Sequence, residues 1–314
     1  MVIVPIKGIF IMKKNIVKAP KVLCLYDEYS IAETLMFIAN IYECVNNKRR
    51  VILDFSNTEK ITSAASVALF AHVNRIQLYF NVPDLFTFRC QYSPLYDNFF
   101  KRYYLKALKA DTDEKLKRLE EGGHIYQSGV FPHLKLDSLK KYFRLIRANY
   151  QSIPKIGSML SLLETALFEA LLNIHHHAYL GVETQSNTRW WQQLKLDVSK
   201  GNLSFIVYDL GIGIVESYLN HSIGLNNVSV FHSKTDILRD IFKPGVSRLN
   251  AIERGNGFSE MLKPMQGHEN VGMWIFTNNL HFECFQKFGV DICKEMPYKI
   301  PGTLIEWVVD LRDN

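Results

Sequence analysis

"FEALLNIHHHAY", residues 168–179, carries Glu169 and Asn173 inside an apolar run and ends with three consecutive histidines. The apolar spacing predicts a helix. Residues four apart on a helix lie one above the other, so Glu169 and Asn173 share a face, with His176 and His177 near that face one turn later. The predicted helix therefore presents a carboxylate and an amide together.

The histidine run suggests a metal site as an alternative. A metal ion needs ligands that converge from one direction, whereas His175 points away from His177 on a helix. No cysteine or carboxylate cluster in the sequence completes a set of ligands. The residues therefore favour the carboxylate and amide pair as the functional feature, with zinc as the weaker alternative.

Further motifs follow along the chain: "VYDLGIGI" at 207–214, a long segment from Val215 to Arg254, "ERGNGF" at 253–258 and "PGTLIEWVVDL" at 301–311. In order and spacing, the helix motif and these stretches resemble the sequence boxes of the GHKL ATPase superfamily. That superfamily unites gyrase, heat-shock chaperones, mismatch-repair ATPases and histidine kinases. Each motif alone also fits ordinary helix-surface residues or a strand-ending turn, but the ordered set is far more specific.

The first motif is most similar to that of the anti-sigma-factor serine kinases, which reads E-A-x-x-N followed by a histidine, a small residue and often a tyrosine. The matching residues are Glu169, Ala170, Asn173, His177, Ala178 and Tyr179. The resemblance implies a GHKL-type ATP-binding domain in which His177 lies beside the nucleotide. Geometry alone fits His176 equally well.

The resemblance assigns a role to individual side chains. It implies that the Asn173 amide oxygen binds Mg²⁺, with phosphate oxygens and water as the other ligands. It implies that Glu169 is the general base, taking a proton from water or from an acceptor hydroxyl. Asp209 is expected to accept a hydrogen bond from the adenine amino group, and Thr303 is expected to support the same edge of the base.

Glycines are expected on both sides of the nucleotide. Gly211 and Gly213 would let the backbone pass close to the base. Gly255, Asn256 and Gly257 open the stretch "GFSEML", which we predict to be a helix. Their backbone amides and the positive end of that helix would hold phosphates.

The span between Asp209 and Gly255 is long for a structureless loop, and such loops are often lids. Its candidate phosphate contacts are Lys243, Arg248 and Arg254. Basic residues in an exposed loop are also commonly only solvated, and that alternative stays open.

The N-terminal stretch "VILDFSNTEKITSAASVALFAHV", residues 51–73, resembles the central segment of STAS domains. In those domains a strand leads to a helix whose start carries a phosphorylatable serine, and Ser63 falls at that position. Thr62 replaces the usual aspartate and Ala65 the usual glycine. Helix capping and close packing would also produce a helix start rich in serine and alanine, so Ser63 is either a phosphoacceptor or a packing residue.

Helix and strand patterns predict an α/β protein of two domains. The N-terminal domain, residues 1–98, alternates predicted strands such as 21–26 with helices and is STAS-like. Residues 99–123 are predicted to be a helical connector, including a charged helix closed by glycines. Residues 124–314 are predicted to form a helix layer over a mixed, largely antiparallel sheet, an α+β sandwich, which the resemblance makes a GHKL-type domain. Its predicted elements include a helix at 136–150, a strand at 203–211 and a strand pair at 272–285.

Composition gives no support to several classes of protein. The net charge of +6 comes from scattered lysines and arginines, with no dense basic run for a nucleic-acid backbone. The five cysteines lie far apart, which indicates neither a zinc module nor a disulfide framework and favours the cytoplasm. The opening residues lack a signal-peptide pattern, Met12 is an alternative start, and no apolar run approaches the length of about 20 residues that spans a membrane.

Together, the two resemblances imply a cytoplasmic regulatory protein that binds ATP and Mg²⁺. The expected activity is ATP hydrolysis or phosphoryl transfer to a serine of a partner, which would be a STAS or sigma-factor-like protein, and a homodimer is left open. Sensor histidine kinase activity is disfavoured because no two-helix dimerisation segment precedes the first motif. The alternative is a nucleotide-sensing interaction module with negligible turnover.

Overall fold

The computed structural model describes residues 11–130, 143–144, 146–148, 156–179, 188–197, 201–220, 233–242 and 257–312. The chain is a mixed α/β structure that divides into two compact units, Met1–Ser128 and Gly129–Asn314. The α/β class predicted from the sequence is confirmed at this level.

The first unit contains, in order, β1 (Ile11–Lys18), β2 (Val22–Leu23), α1 (Glu28–Asn46), β3 (Arg49–Asp54), β4 (Lys60–Ile61), α2 (Ser63–Phe80), β5 (Phe86–Arg89), a π-helix (Tyr96–Tyr104), α3 (Leu105–Leu108) and α4 (Asp113–Glu121). Strands β1, β3 and β5 form a parallel sheet in that order, and β2 pairs with β4. Parallel neighbours need crossover connections, which α1 and α2 supply.

Local sequence explains where the two long helices of this unit begin and end. The Asp27 carboxylate caps α1 by accepting a hydrogen bond from the Ser30 N–H at 2.9 Å. Helix α2 is buried along most of its length, since its small residues allow close packing. It ends at Asn81, which takes the left-handed conformation with φ of 48°.

Two sequence predictions for the first unit are corrected. The first strand of the sheet is β1, whereas the predicted strand at 21–26 contributes only the short β2. The charged stretch that was predicted as one helix is divided into α3 and α4, because the Thr112 hydroxyl caps a new helix by accepting from the Lys115 N–H at 3.3 Å.

The residues predicted as a connector lie within the first unit and pack onto α2. The Tyr104 hydroxyl donates to the Ser66 carbonyl oxygen at 2.7 Å. The Asn74 amide donates to the Ala110 carbonyl oxygen at 2.8 Å. Tyr104 is fully buried, so this segment belongs to the core of the unit.

The second unit follows with β6 (Tyr126–Val130), which contains the boundary between the units, then α5 (Ile156–Asn173) with a π turn (Ile174–Ala178), β7 (Arg189–Asp197), β8 (Asn202–Asp209), α6 (Ile214–Leu219), α7 (Lys234–Ile241), α8 (Gly257–Gly267), β9 (Val271–Phe285) and β10 (Val290–Asp310). The sheet order is β6-β7-β8-β10-β9, and the β7–β8, β8–β10 and β10–β9 pairs are antiparallel. The helix predicted at 136–150 lies largely outside the described residues.

Helices α5 and α8 cover one face of this sheet. Buried residues of α5 such as Leu160 and Leu167 share a hydrophobic core with Met261 of α8 and with Phe205 and Trp307 of the sheet. The odd-numbered residues of β8 point to this side, because side chains alternate along a strand. Residues at the end of β8 with the same parity therefore face the helices.

The stretch predicted as a strand pair, 272–285, is instead the single strand β9, and its partner is β10. The strand bends sharply at Asn278, where φ is 53°. The Trp274 and Phe285 rings lie 4.4 Å apart between centroids, although a straight strand would separate them by more than about 30 Å. A Cβ at Gly272 would overlap the Phe285 ring, so the distal part of the hairpin folds back onto β9.

Among the described helices, the stretch Ile156–Ala178 is long and apolar enough to match a membrane span by length and composition, with a mean hydropathy of 1.2. The sequence prediction that no run approaches such a length overlooked it. Residues along α5 pack into the hydrophobic core of the second unit, and a core helix meets the same criteria.

Candidate functional site

Four residues on neighbouring strands form one row across the sheet on the side of α5. Trp190 of β7 is paired with Asp209 of β8, Asp209 with Thr303 of β10, and Thr303 with Thr277 of β9. The Thr277 and Thr303 hydroxyl oxygens are 3.2 Å apart. The sheet therefore brings the predicted Asp209 and Thr303 side by side and adds a third polar residue to them.

Asp209 is a buried carboxyl group, with 3% of the residue exposed. Its Oδ1 accepts a hydrogen bond from the Gly211 N–H at 2.8 Å. Burial raises the pKa of Asp209 to about 7, although hydrogen bonds from the Gly211 and Thr303 N–H groups act in the opposite direction. A carboxyl group with this pKa exchanges its proton near neutral pH and can accept a hydrogen bond from a ligand.

The loop after Asp209 lies against the end of the α5 helix. The Ile212 N–H donates to the Ala178 carbonyl oxygen at 2.8 Å. A Cβ at Gly211 would overlap that carbonyl group, and a Cβ at Gly302 would overlap the Asp209 carbonyl oxygen. These contacts explain why both positions are occupied by glycine. Gly211 is required by packing against the helix as well as by any approach to a base.

We expect Gly211→Ala to lower the free energy of unfolding by about 1–3 kcal/mol, because the new methyl group must displace backbone atoms. Gly157→Ala in α5 is the control, since its Cβ would meet no atom within 4 Å. Removing a helical glycine there should instead stabilise the protein by about 0.5–1 kcal/mol. Urea denaturation measures both variants, and equal stabilities would contradict the close approach.

Tyr179 ties the helix end to the same loop. Its hydroxyl donates to the Arg189 carbonyl oxygen at 2.5 Å and accepts from the Leu210 N–H at 3.1 Å. The sequence motif included Tyr179 without assigning it a contact. Its side chain holds the start of the loop, where Asp209 ends β8.

Glu169 and Asn173 lie on α5, and Glu169 is close to Glu260 of α8. Burial, together with the nearby Glu260 of α8, raises the pKa of Glu169 above its usual range. The Asn173 Nδ2 atom is buried and has no hydrogen-bond partner among the described residues. Leaving a buried polar group unpaired costs about 1–3 kcal/mol, so this amide indicates a place for a ligand or water.

The predicted histidines lie on the π turn that continues α5. His175 and His176 are exposed, and His177 is partly buried. The His177 carbonyl oxygen accepts from the Ser217 hydroxyl at 3.3 Å, which joins the turn to α6. π turns inside helices occur frequently at functional sites.

The sequence suggests two alternative metal sites, zinc at the histidine run and magnesium at Asn173. In the part of the chain that the structure describes, no group of three or more histidine, cysteine, aspartate or glutamate side chains could hold a metal ion. The unpaired Nδ2 atom of Asn173 is a hydrogen-bond donor, whereas a Mg²⁺ ion would take the Oδ1 atom of the same amide and fill its other positions with phosphate oxygens and water.

Five of the predicted phosphate-side residues lie outside the described residues: Lys243, Arg248, Arg254, Gly255 and Asn256. Gly257 is the first described residue of α8. Of the residues predicted to lie near the phosphates, the structure therefore describes Glu169, Asn173 and Gly257.

Two polar residues of the site were not predicted. Thr277 accepts a hydrogen bond from the Ile214 N–H at 2.9 Å, and Asn278 donates to the Ile212 carbonyl oxygen at 2.7 Å. Both lie on β9, which no sequence motif marked. Only the pairing of β9 with β10 brings Thr277 beside Thr303, and no local pattern in the sequence reveals that pairing.

No protein-family model matches the chain, and a search of curated proteins finds no match. The case for a function therefore rests on the motifs and on the geometry of the site.

Proposed function

We propose that the second unit binds Mg·ATP, and that the protein is a cytoplasmic ATPase or protein serine kinase of the anti-sigma-factor kinase type within the GHKL superfamily. In this proposal the first unit is a STAS-like domain that regulates the activity or contacts a protein partner. The observation that carries the proposal is the buried Asp209 carboxyl group beside Thr303, at the end of the helix that bears Glu169 and Asn173.

The adenine side of the proposal rests on hydrogen-bond chemistry. A buried carboxylate is an acceptor that strongly favours a donor such as the exocyclic amino group of adenine. Thr303 contributes a hydroxyl in the next strand, and the Gly211 N–H holds the carboxylate in place. Such an arrangement discriminates between bases through one fixed acceptor.

The phosphate side rests on α5 and α8. Asn173 would supply the oxygen ligand to Mg²⁺, and the unpaired Nδ2 atom supports an interaction that is completed by a ligand or water. A raised pKa suits Glu169 to general base chemistry, because a more basic carboxylate takes a proton more readily. The N-terminal end of α8 offers backbone N–H groups to phosphate oxygens.

The first unit supports the regulatory part of the proposal. Its parallel sheet and helices form an α/β unit, and Ser63 begins α2. The Ser63 carbonyl oxygen accepts a hydrogen bond from the Ser66 hydroxyl at 2.7 Å. A phosphate on Ser63 would lie at the positive end of this helix, which favours negative charge.

We expect Asp209→Asn to weaken ATP binding about tenfold or more, since a charge-assisted hydrogen bond is worth about 1.5–3 kcal/mol. The matched control is Asp310→Asn at the opposite end of β10, where the partly exposed carboxylate pairs with Arg312. That variant should bind ATP like the parent. Isothermal calorimetry in the presence of Mg²⁺ measures the ATP affinity of the parent and the two variants. A parent chain that does not bind ATP would contradict the proposal.

ATP labelled at the γ-phosphate separates the remaining activities. Released phosphate indicates hydrolysis, and a labelled protein indicates phosphoryl transfer. Binding without either product would favour the nucleotide-sensing interaction module, for which a general base at Glu169 is unnecessary.

A further inference from the structure

Asn278 lies at the corner where β9 bends. Its backbone is left-handed, with φ of 53°, a conformation that asparagine takes more readily than most residues with a side chain. The residue is buried, with 4% exposed. The corner therefore fixes where the Asn278 amide points.

One hydrogen of this amide holds the loop that follows Asp209. Asn278 Nδ2 donates to the Ile212 carbonyl oxygen at 2.7 Å. Gly213 allows this approach, because a Cβ there would overlap Nδ2. Ile212 follows Gly211, whose N–H donates to the Asp209 carboxylate. A side chain on β9 thus fixes the loop that orients the carboxylate.

The other hydrogen of the amide connects the loop to two helices. Asn278 Nδ2 donates to Glu216 Oε2 at 2.7 Å, and Lys234 Nζ donates to Glu216 Oε1 at 2.7 Å. Burial raises the pKa of Glu216, but the hydrogen bonds from Lys234 and Asn278 outweigh it and leave the pKa below its usual range. Glu216 is therefore ionised at neutral pH, and this set of bonds joins β9, α6 and α7.

We infer that Asn278 is a positioning residue for base selectivity: its amide sets the loop that presents the Asp209 carboxylate to the nucleotide. The inference rests on the proposed ATP site and adds the residue that determines its preference for adenine. The adenine amino group donates to a carboxylate, whereas guanine has a carbonyl oxygen at the same ring position, which a carboxylate repels. A loop displaced from its native position loses part of this discrimination.

The test is Asn278→Gly in the full chain, because glycine accepts the positive φ and removes only the amide. ATP affinity is expected to fall about tenfold, and the ratio of ATP to GTP affinity is expected to fall with it. The Mg²⁺ dependence of binding is expected to persist, since Asn173 is unchanged. Asn81→Gly is the matched control, at φ of 48° in the first unit, and should keep the parental ratio.

The ratio of affinities separates positioning from a merely structural role, which would change stability and leave selectivity alone. An Asn278→Gly protein with the parental ATP to GTP ratio would overturn the inference. Asn278→Asp keeps the size of the side chain and replaces the donor by an acceptor, so this variant should lose selectivity too. If the glycine variant does not fold, the affinity ratio of Asn278→Asp tests the inference. A parent chain that binds no ATP would overturn the proposed function as well, whereas parental binding with unchanged variants removes the inference alone.

Discussion

Glu169→Ala is expected to lower ATP turnover about 100-fold or more while ATP affinity stays close to that of the parent. Glu169 would take a proton in the reacting step, and a general base contributes to the transition state far more than to nucleotide binding. Because the pKa of Glu169 is raised, turnover is expected to increase as the pH rises through that pKa and the carboxylate becomes ionised. Phosphate release or transfer and ATP affinity should both be measured.

Two variants of the same helix serve as controls for this result. Glu164→Ala removes a carboxylate whose oxygen lies 4.0 Å from Arg147, and it should leave turnover unchanged. Asn173→Ala should weaken the Mg²⁺-dependent part of ATP binding, which distinguishes a metal ligand from a base. A Glu169→Ala protein that melts normally and turns over ATP at the parental rate would exclude Glu169 from the mechanism.

Asp209→Asn is expected to remove a pH dependence of stability worth about 2–3 kcal/mol between pH 5 and 8 in the absence of nucleotide. The folded-state pKa of Asp209 is raised from 3.8 to about 7, so the folded protein holds a proton that the unfolded chain releases. The resulting stability is fully present below pH 3.8 and is lost as the pH rises through about 7. Asparagine stays neutral throughout.

Urea denaturation of parent and variant across this pH range measures the effect. Other ionisable groups are shared by the two proteins, so their contributions cancel in the difference between the unfolding free energies. As the pH rises, the free energy of unfolding of Asp209→Asn should increase relative to that of the parent. Two parallel stability curves between pH 5 and 8 would show that Asp209 ionises with an ordinary pKa.

Helical periodicity was sufficient to place Glu169 and Asn173 on one helix, because residues four apart are neighbours whatever the rest of the fold does. The strand predicted at 203–211 also followed from a local pattern of apolar residues, and it corresponds to β8, which ends at Asp209. Thr277 could not be found in this way, since its position beside Thr303 depends on two strands pairing over a long stretch of chain. Register of this kind is set by the fold as a whole.

The same limit explains the errors in the first unit and in β9. Residues 99–123 are rich in charge and read as a connector, but Tyr104 and Leu108 are fully buried. The corner at Asn278 interrupts an apolar pattern in the way that a hairpin turn does, although β9 continues beyond it. Local composition cannot separate a bend from a reversal of direction.

Because of the π turn at Ile174–Ala178, the residues at the end of α5 lie at a different angle around the helix axis than they would in an uninterrupted α-helix. Each α-helical residue advances the chain by about 100°, so the same sequence in an uninterrupted α-helix would place Ala178 and Tyr179 at a different angle around the helix axis. The Ala178 carbonyl would then leave Ile212, and the Tyr179 hydroxyl would leave Leu210. The π turn thus sets the angular alignment of the helix end with the loop, independently of any chemistry of the histidine rings.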